Sequence, residues 1–482
     1  MCAVLVSVVA ALATAGTAVA AESTVGARTV GDRLFPQLGN GGYDAKSYDV
    51  SYDYRPGVPT MDSSVTMSAR ATQGLSEFSL DSVGQRITAV TVDGRAAKFR
   101  TEQEKLIIDP AWTVHKGATF AVKVDYVADR SLNPPPAGIT LPPGVPWPFQ
   151  YWVPTPDGFA FMGQPDRAHL FFPSNDHPSD KARFTFRVTT PNDVQAVANG
   201  KLVAKAQHGD RTTYVYRTAD EIPTDVTQVA VGKFQEIDQT GPHGLPIRSF
   251  VPAAQAKTLT AAVQRTPDQI AWIEQKLGLR FPFENYGVLA LDSDYDGVAL
   301  ETATLSTYSA RGLALSDKDE SPTMAHELTH QFFGDAVSVG AWDDMWISEG
   351  HARYYEKAYA ADRGFDNLDA RMKQLYEADA QARAESGPPA HLKHPIDVLF
   401  STDNPGALML YGLRQLVGDQ TFHDIERAFF TCFNGRSATT KDYIDTANRI
   451  AGRDLTGYIR SWLHDDTTPP MPGHPDWVSN PN

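Results

Sequence analysis

The tightest constraint on this chain is His326-Glu327-Leu328-Thr329-His330, followed after eighteen intervening residues by Glu349 in Trp346-Ile347-Ser348-Glu349-Gly350. Histidines at i and i+4 lie on one face of a helix, so a helical stretch brings both imidazoles to a single ion. Glu349 supplies a third ligand of suitable chemistry, and three corners of a tetrahedral zinc site are then closed. The fourth corner stays open for water and substrate, which is the mark of a catalytic rather than a structural site. Glu327, one residue along, points to the same side and can take a proton from the attacking water. His326, His330 and Glu349 are therefore the expected ligands of one Zn2+ per chain, and Glu327 the expected general base. The plain alternative, an amphipathic helix that happens to hold two histidines, leaves Glu349 and the matches described below without a reason.

The rest of the chain divides by its periodicity. Tyr48–Tyr52, Ile87–Val92, Phe120–Val124, Phe184–Val188, Thr213–Tyr216 and Gln228–Val231 alternate apolar and polar residues as half-buried strands do. Asp93-Gly94 is a hairpin signal between two such runs, and the proline-rich stretch 134–148 reads as a surface loop. After Pro252 the spacing becomes helical: Ala262, Val263, Ile270, Ile273 and Leu277, then Leu368, Met372, Leu375 and Tyr376. The expected fold is α+β and multidomain, with an all-β domain over 22–250 and a mainly helical domain over 251–475.

At 482 residues the chain is long enough for two or three domains and a large core. The formal charge is −15 and no basic stripe appears, so nucleic acid is not an expected partner. Residues 1–21 read as an export signal: Ala3–Ala13 is almost wholly apolar, and Ala18 and Ala20 place small residues at the −3 and −1 positions of a cleavage site before Ala21. The run is too short and too broken for a membrane span. No Lys or Arg precedes Arg28, so a charged leading segment is missing. Loss of Cys2 with the signal leaves Cys432 alone and no intramolecular disulfide possible. A secreted location is the expectation.

With these residues in place, the chain resembles the gluzincin-type zinc aminopeptidases, the family of aminopeptidase N and the leukotriene hydrolases. The Glu349 spacing, Phe172-Pro173-Ser174-Asn175-Asp176-His177-Pro178, His330-Gln331-Phe332-Phe333-Gly334, Gly406-Ala407-Leu408-Met409-Leu410 and Ser461-Trp462-Leu463 carry the resemblance from about Gly31 to Pro472. It implies a β-saddle followed by a thermolysin-like catalytic domain, and it is greatest to short exported bacterial members. It also implies peptide substrates with a free N-terminus. Val298-Ala299-Leu300-Glu301-Thr302 stands where the family has G-x-M-E-N, so Glu301 takes the role of binding the substrate's α-ammonium group. Gln164 stands where most members carry a second ammonium-binding Glu.

Two departures bear on activity. Thr302 replaces the Asn of that motif. The family's oxyanion-stabilising Tyr, three residues before a Gly-Ala pair, is replaced by Asp403, since the stretch reads Asp403-Asn404-Pro405-Gly406. An ionised Asp cannot donate a hydrogen bond and repels an oxyanion; loss of such a donor costs about 10²–10³ in kcat. Tyr411 is a substitute donor only if the fold turns it into the site, and packing in the core is its ordinary use. Three readings stay open on the sequence: an exported aminopeptidase, a zinc endopeptidase, and a zinc-stabilised peptide-binding relative with little turnover. Intact Glu327 argues against the third, and an N-acetylated peptide separates the first two.

Overall fold

The computed structural model describes residues 24–135, 149–293 and 299–480. The expected signal over 1–21, most of the proline-rich stretch and Val298 lie outside them.

The alternating segments of the first half form strands. An eight-stranded sheet runs in the order Lys201–His208, Arg211–Arg217, Arg183–Pro191, Tyr43–Asp53, Thr60–Ala71, Thr119–Asp129, Arg86–Val92 and Arg95–Ala96. Its neighbours are antiparallel except Arg183–Pro191 and Tyr43–Asp53, which run parallel with Val188 opposite Tyr52. Period-2 burial follows the chemistry: Tyr48, Val50 and Tyr52 are buried on one face, while Asp49 and Ser51 stay partly exposed. Asp93 and Gly94, both at positive φ, close the hairpin that pairs Val92 with Arg95. Two four-stranded sheets complete the β-rich region, and Trp152, Phe159, Phe161 and Phe171 pack edge and face between layers.

A further four-stranded sheet, Phe234–Thr240, Pro246–Pro252, Val288–Leu291 and Ser306–Ser309, joins the β-rich half to the helices, and its second strand runs across the expected boundary at residue 250. The helical spacing is realised in Ala256–Val263, Thr266–Leu277 and Leu368–Ser386, where Ala262, Val263, Ile270, Ile273, Leu277, Met372 and Tyr376 are buried. Three helices frame the centre: Asp317–His330 with the histidines, Trp346–Asp362 with Glu349, and Asp403–Val417. The second and third cross at Gly350 and Gly406, where a Cβ on Gly350 would lie 2.8 Å from Gly406 Cα. Only glycine at both positions permits that approach, and it sets the start of the third helix over the cleft.

The halves are tied by buried polar groups. Lys181 Nζ donates to the carbonyls of Asp335 (2.8 Å) and Ala336 (2.7 Å), just beyond the histidine helix. Trp342 N donates to Asp32 at 2.9 Å. Asp176, inside the Phe172–Pro178 block, meets His169 Nδ1 at 2.6 Å and accepts from Thr224 at 2.6 Å. That block is a buried ionic cluster within the β-rich half, where burial is outweighed by hydrogen bonds to Asp176 and Glu104 and His169 is raised to about 9. No helix among the described residues is long and apolar enough to cross a membrane.

Candidate active site

The helix Asp317–His330 turns His326 and His330 to one side, with ring centroids 4.7 Å apart. One turn into Trp346–Asp362, Glu349 meets them: its Oε2 lies 3.5 Å from His326 Nε2 and 3.8 Å from His330 Nε2. One donor atom from each of the three falls within 4.8 Å of the others, and all three residues are buried. The outward nitrogens are engaged elsewhere, His326 Nδ1 with Glu356 Oε2 at 3.1 Å and His330 Nδ1 with Ser348 Oγ at 2.8 Å. Such outer partners fix the ring orientation and turn both Nε2 atoms inwards. Two imidazoles and one carboxylate in this convergence suit zinc with an open fourth position.

Burial, then the neighbouring carboxylates Glu301, Glu349 and Glu356, push the Glu327 carboxyl well above its ordinary range, with the His326 charge opposing. Burial draws His330 down, whereas hydrogen bonds to Glu349 and Glu356 outweigh burial and raise His326 to about 10.

Glu301 sits at one end of the same cavity, which has a volume of about 470 Å3. Leu300 pairs with Thr307 through two backbone bonds of 2.9 and 2.8 Å, which aligns the segment beside the edge strand Ser306–Ser309. Gln331, next to the second histidine, donates to the Glu301 carbonyl (3.1 Å) and accepts from Thr304 N (2.8 Å). That clamp explains why a Gln follows the zinc-type motif. Gln164 donates to Glu301 Oε1 at 2.6 Å, so these two expected substrate-binding residues do meet. Glu301 is 3% exposed, and with Glu327 and His330 it forms a second cluster of donor atoms within 4.8 Å. Thr302 turns inwards to the Leu305 carbonyl and to Thr307 (2.8 Å).

The other end departs from expectation. Asp403 does line the cavity, but it is not a bare negative charge. Arg353, one turn beyond Glu349, donates to Asp403 Oδ2 from Nε (3.0 Å) and Nη2 (2.5 Å), and from Nη1 to Glu356 Oε2 (2.5 Å). The expected repulsion by Asp403 is thus compensated by a paired guanidinium. Tyr411 is excluded as its substitute: it is fully buried, its hydroxyl donates to Asp369 at 2.9 Å and lies 2.7 Å from His474 Nε2, and its ring stacks on Trp477. No motif marks Arg353 and Glu356 in the sequence, although positions i+4 and i+7 from Glu349 share its helix face.

A buried cluster of two histidines and a glutamate, on crossing helices behind a β-rich half, defines a zinc peptidase by its fold and site. Comparison with known proteins gives the family: the Peptidase family M1 domain matches residues 261–462, and the Peptidase M1 N-terminal domain matches 44–226. The chain belongs to the M1 family of zinc metallopeptidases. It is 28% identical over 61% of its length to aminopeptidase N of Haemonchus contortus, covering 33% of that protein. It is 22% identical over 82% of its length to leucyl aminopeptidase of Saccharolobus solfataricus, covering 50% of that protein. The chain thus spans a third to a half of these relatives. Among solved structures, the M1 zinc metallopeptidase of Deinococcus radiodurans superposes with a TM-score of 0.80 at 27% identity, over 94% of this chain and 100% of the other. A mutant of that protein has been solved bound to Tyr-Ser-Ala as substrate, with a TM-score of 0.80 at 27% identity over 92% of this chain and 99% of the other.

Proposed function

We propose that this chain is an aminopeptidase that removes the N-terminal residue of peptides, with zinc held by His326, His330 and Glu349. The observation that carries the reading is Glu301: its buried carboxylate lines the cavity beside the ligand cluster and accepts from Gln164, while Gln331 holds its backbone carbonyl. A free α-ammonium group placed there gains a charge-assisted hydrogen bond, whereas an internal residue has no charge to offer. The tripeptide held by the Deinococcus relative supports peptides as the substrate class.

Bound zinc supplies Lewis-acid polarisation of the scissile carbonyl. Glu327 accepts the proton of the attacking water and returns it to the leaving amine. Glu301 and Gln164 hold the amino terminus so that the first peptide bond meets Glu327. Ser348 and Glu356 keep the two imidazoles in register. We further propose export, on the apolar run and small-residue site of residues 1–21; amino-terminal sequencing of protein recovered from culture medium tests it.

The deciding assay compares aminoacyl fluorogenic amides with their N-acetylated forms, with and without chelator. Cleavage of the free-amine series alone, abolished by chelator, is expected. Equal cleavage of acetylated substrates would make the chain an endopeptidase.

A further inference from the structure

We propose that Arg353 is a catalytic residue of this chain: its guanidinium donates a hydrogen bond to the carbonyl oxygen of the scissile bond as that oxygen becomes an oxyanion. The inference rests on the aminopeptidase reading and supplies the donor which that reading lacks.

Four observations carry it. Arg353 lines the same cavity as His326, Glu327, His330 and Glu349, and no other Lys or Arg does so among the described residues. It stands one helical turn beyond Glu349, so both side chains project from one face of the helix towards the cleft. A guanidinium has five N–H donors, and the bonds to Asp403 and Glu356 use three, which leaves two for a ligand. Finally, Arg353 is anchored on Asp403, the residue at the position where the resemblance places a tyrosine. A carboxylate with a guanidinium bonded to it reaches about as far from that backbone as a tyrosine side chain does. The aspartate, unable to donate, thus holds a group that can.

The chemistry requires such a group. As water attacks, its oxygen bonds to the carbonyl carbon, the C=O π pair moves onto oxygen, and the released proton goes to Glu327. When the C–N bond breaks, the oxygen's pair re-forms the C=O bond, the C–N pair leaves on nitrogen and takes the proton from Glu327, and the carboxylic acid so formed loses its remaining proton to the amine or to solvent, leaving the carboxylate. Between these steps a full negative charge stands in a cavity also lined by Glu301, Glu349, Glu356 and Asp403. A fixed cation aimed at that oxygen acts mainly in the transition state. Lys357 Nζ, 2.7 Å from Glu356 Oε1, shares the load of Glu356, so Arg353 is not wholly spent on its two carboxylate partners.

The test uses the full chain with its zinc: wild type, Arg353→Met and Tyr151→Phe, the last because Tyr151 also lines the cavity. Each is assayed for kcat and KM on aminoacyl amides and on a dipeptide with free and amidated C-terminus, with zinc content and melting temperature measured alongside. Arg353→Met is expected to lower kcat about 10²–10³-fold on every substrate, with KM changed little and zinc retained. It is also expected to weaken a phosphinic pseudo-dipeptide far more than the free amino acid product. Arg353→Gln, which keeps a donor towards Asp403, takes its place if Arg353→Met does not fold or hold zinc. Unchanged kcat in the folded Arg353 variant overturns the proposal. So does a large loss in Tyr151→Phe alone, or a loss confined to substrates with a free C-terminal carboxylate and carried by KM. A wild type inert on every free-amine substrate overturns the aminopeptidase reading, and this proposal with it.

Discussion

The two ends of the cleft are built on different plans. At one end only neutral amides meet Glu301: Gln164 donates to its carboxylate and Gln331 to its backbone carbonyl, and neither cancels its charge. At the other a carboxylate is held by a cation, with Asp403 bound to Arg353 through two N–H groups. The first arrangement leaves negative charge facing the cavity for a cationic group of the substrate. The second consumes the charge of Asp403 and leaves N–H donors in its place. Two carboxylates thus do opposite work according to their partner, and charge alone does not tell an ammonium site from an oxyanion site.

The largest effect expected lies between these ends. Glu349→Ala leaves two histidines to hold the metal, and zinc should be lost on dialysis together with all activity. Near-stoichiometric zinc in that variant would remove Glu349 from the ligands and break the comparison at its centre. Glu327→Gln should keep its zinc while kcat falls about 10²–10⁴-fold, since only proton transfer is removed. Metal analysis beside single-turnover rates separates the two.

How far the sequence revealed this depends on how local each constraint is. His326 and His330 were legible because helix geometry alone puts i and i+4 together. The strands of the first half were legible because burial on one face imposes period 2, as Tyr48, Val50 and Tyr52 do. Their order was not: the parallel partner of Tyr43–Asp53 is Arg183–Pro191, far along the chain, and no local pattern encodes that choice. The pairing of Asp403 is hidden from the sequence for the same reason. Its charge is compensated by Arg353, fifty residues earlier, through a helix crossing that requires glycine at both 350 and 406. Sequence spacing shows what one helix presents, whereas the partner across the cleft appears only with the packing.

A third prediction sharpens the acidic end. Glu301→Ala should reduce kcat/KM on free-amine substrates by the charge-assisted bond it removes, about 2–4 kcal/mol, or roughly 30- to 1000-fold. N-acetylation should then cost little further in the variant, because the group that reads the ammonium is gone. If the variant still discriminates against acetylated substrates as strongly as the wild type, another residue closes the cavity. Gln164 is then the first to be tested, as it already touches Glu301.

The smallest effect on turnover is expected at Tyr411, and it bears on the cationic end. Tyr411 leaves the same helix as Asp403 about two turns further on, into a cluster with Asp369, His474 and Trp477. Tyr411→Phe deletes only the hydroxyl and with it the bonds to the exposed Asp369 and the half-buried His474, which costs about 0.5–1.5 kcal/mol of stability. The melting temperature should fall by about 1–3 °C, while kcat and KM stay within about twofold of wild type, because nothing that touches the cavity has moved. The pairing with Arg353→Met is what gives the measurement its force: one variant should lose stability and keep its rate, the other should lose rate and keep its zinc. A fall in kcat at Tyr411 comparable with that expected at Arg353, without loss of metal, would mean that the hydroxyl turns into the cleft during turnover. The oxyanion donor would then be a tyrosine after all, and Arg353 would be left as a clamp on Glu356.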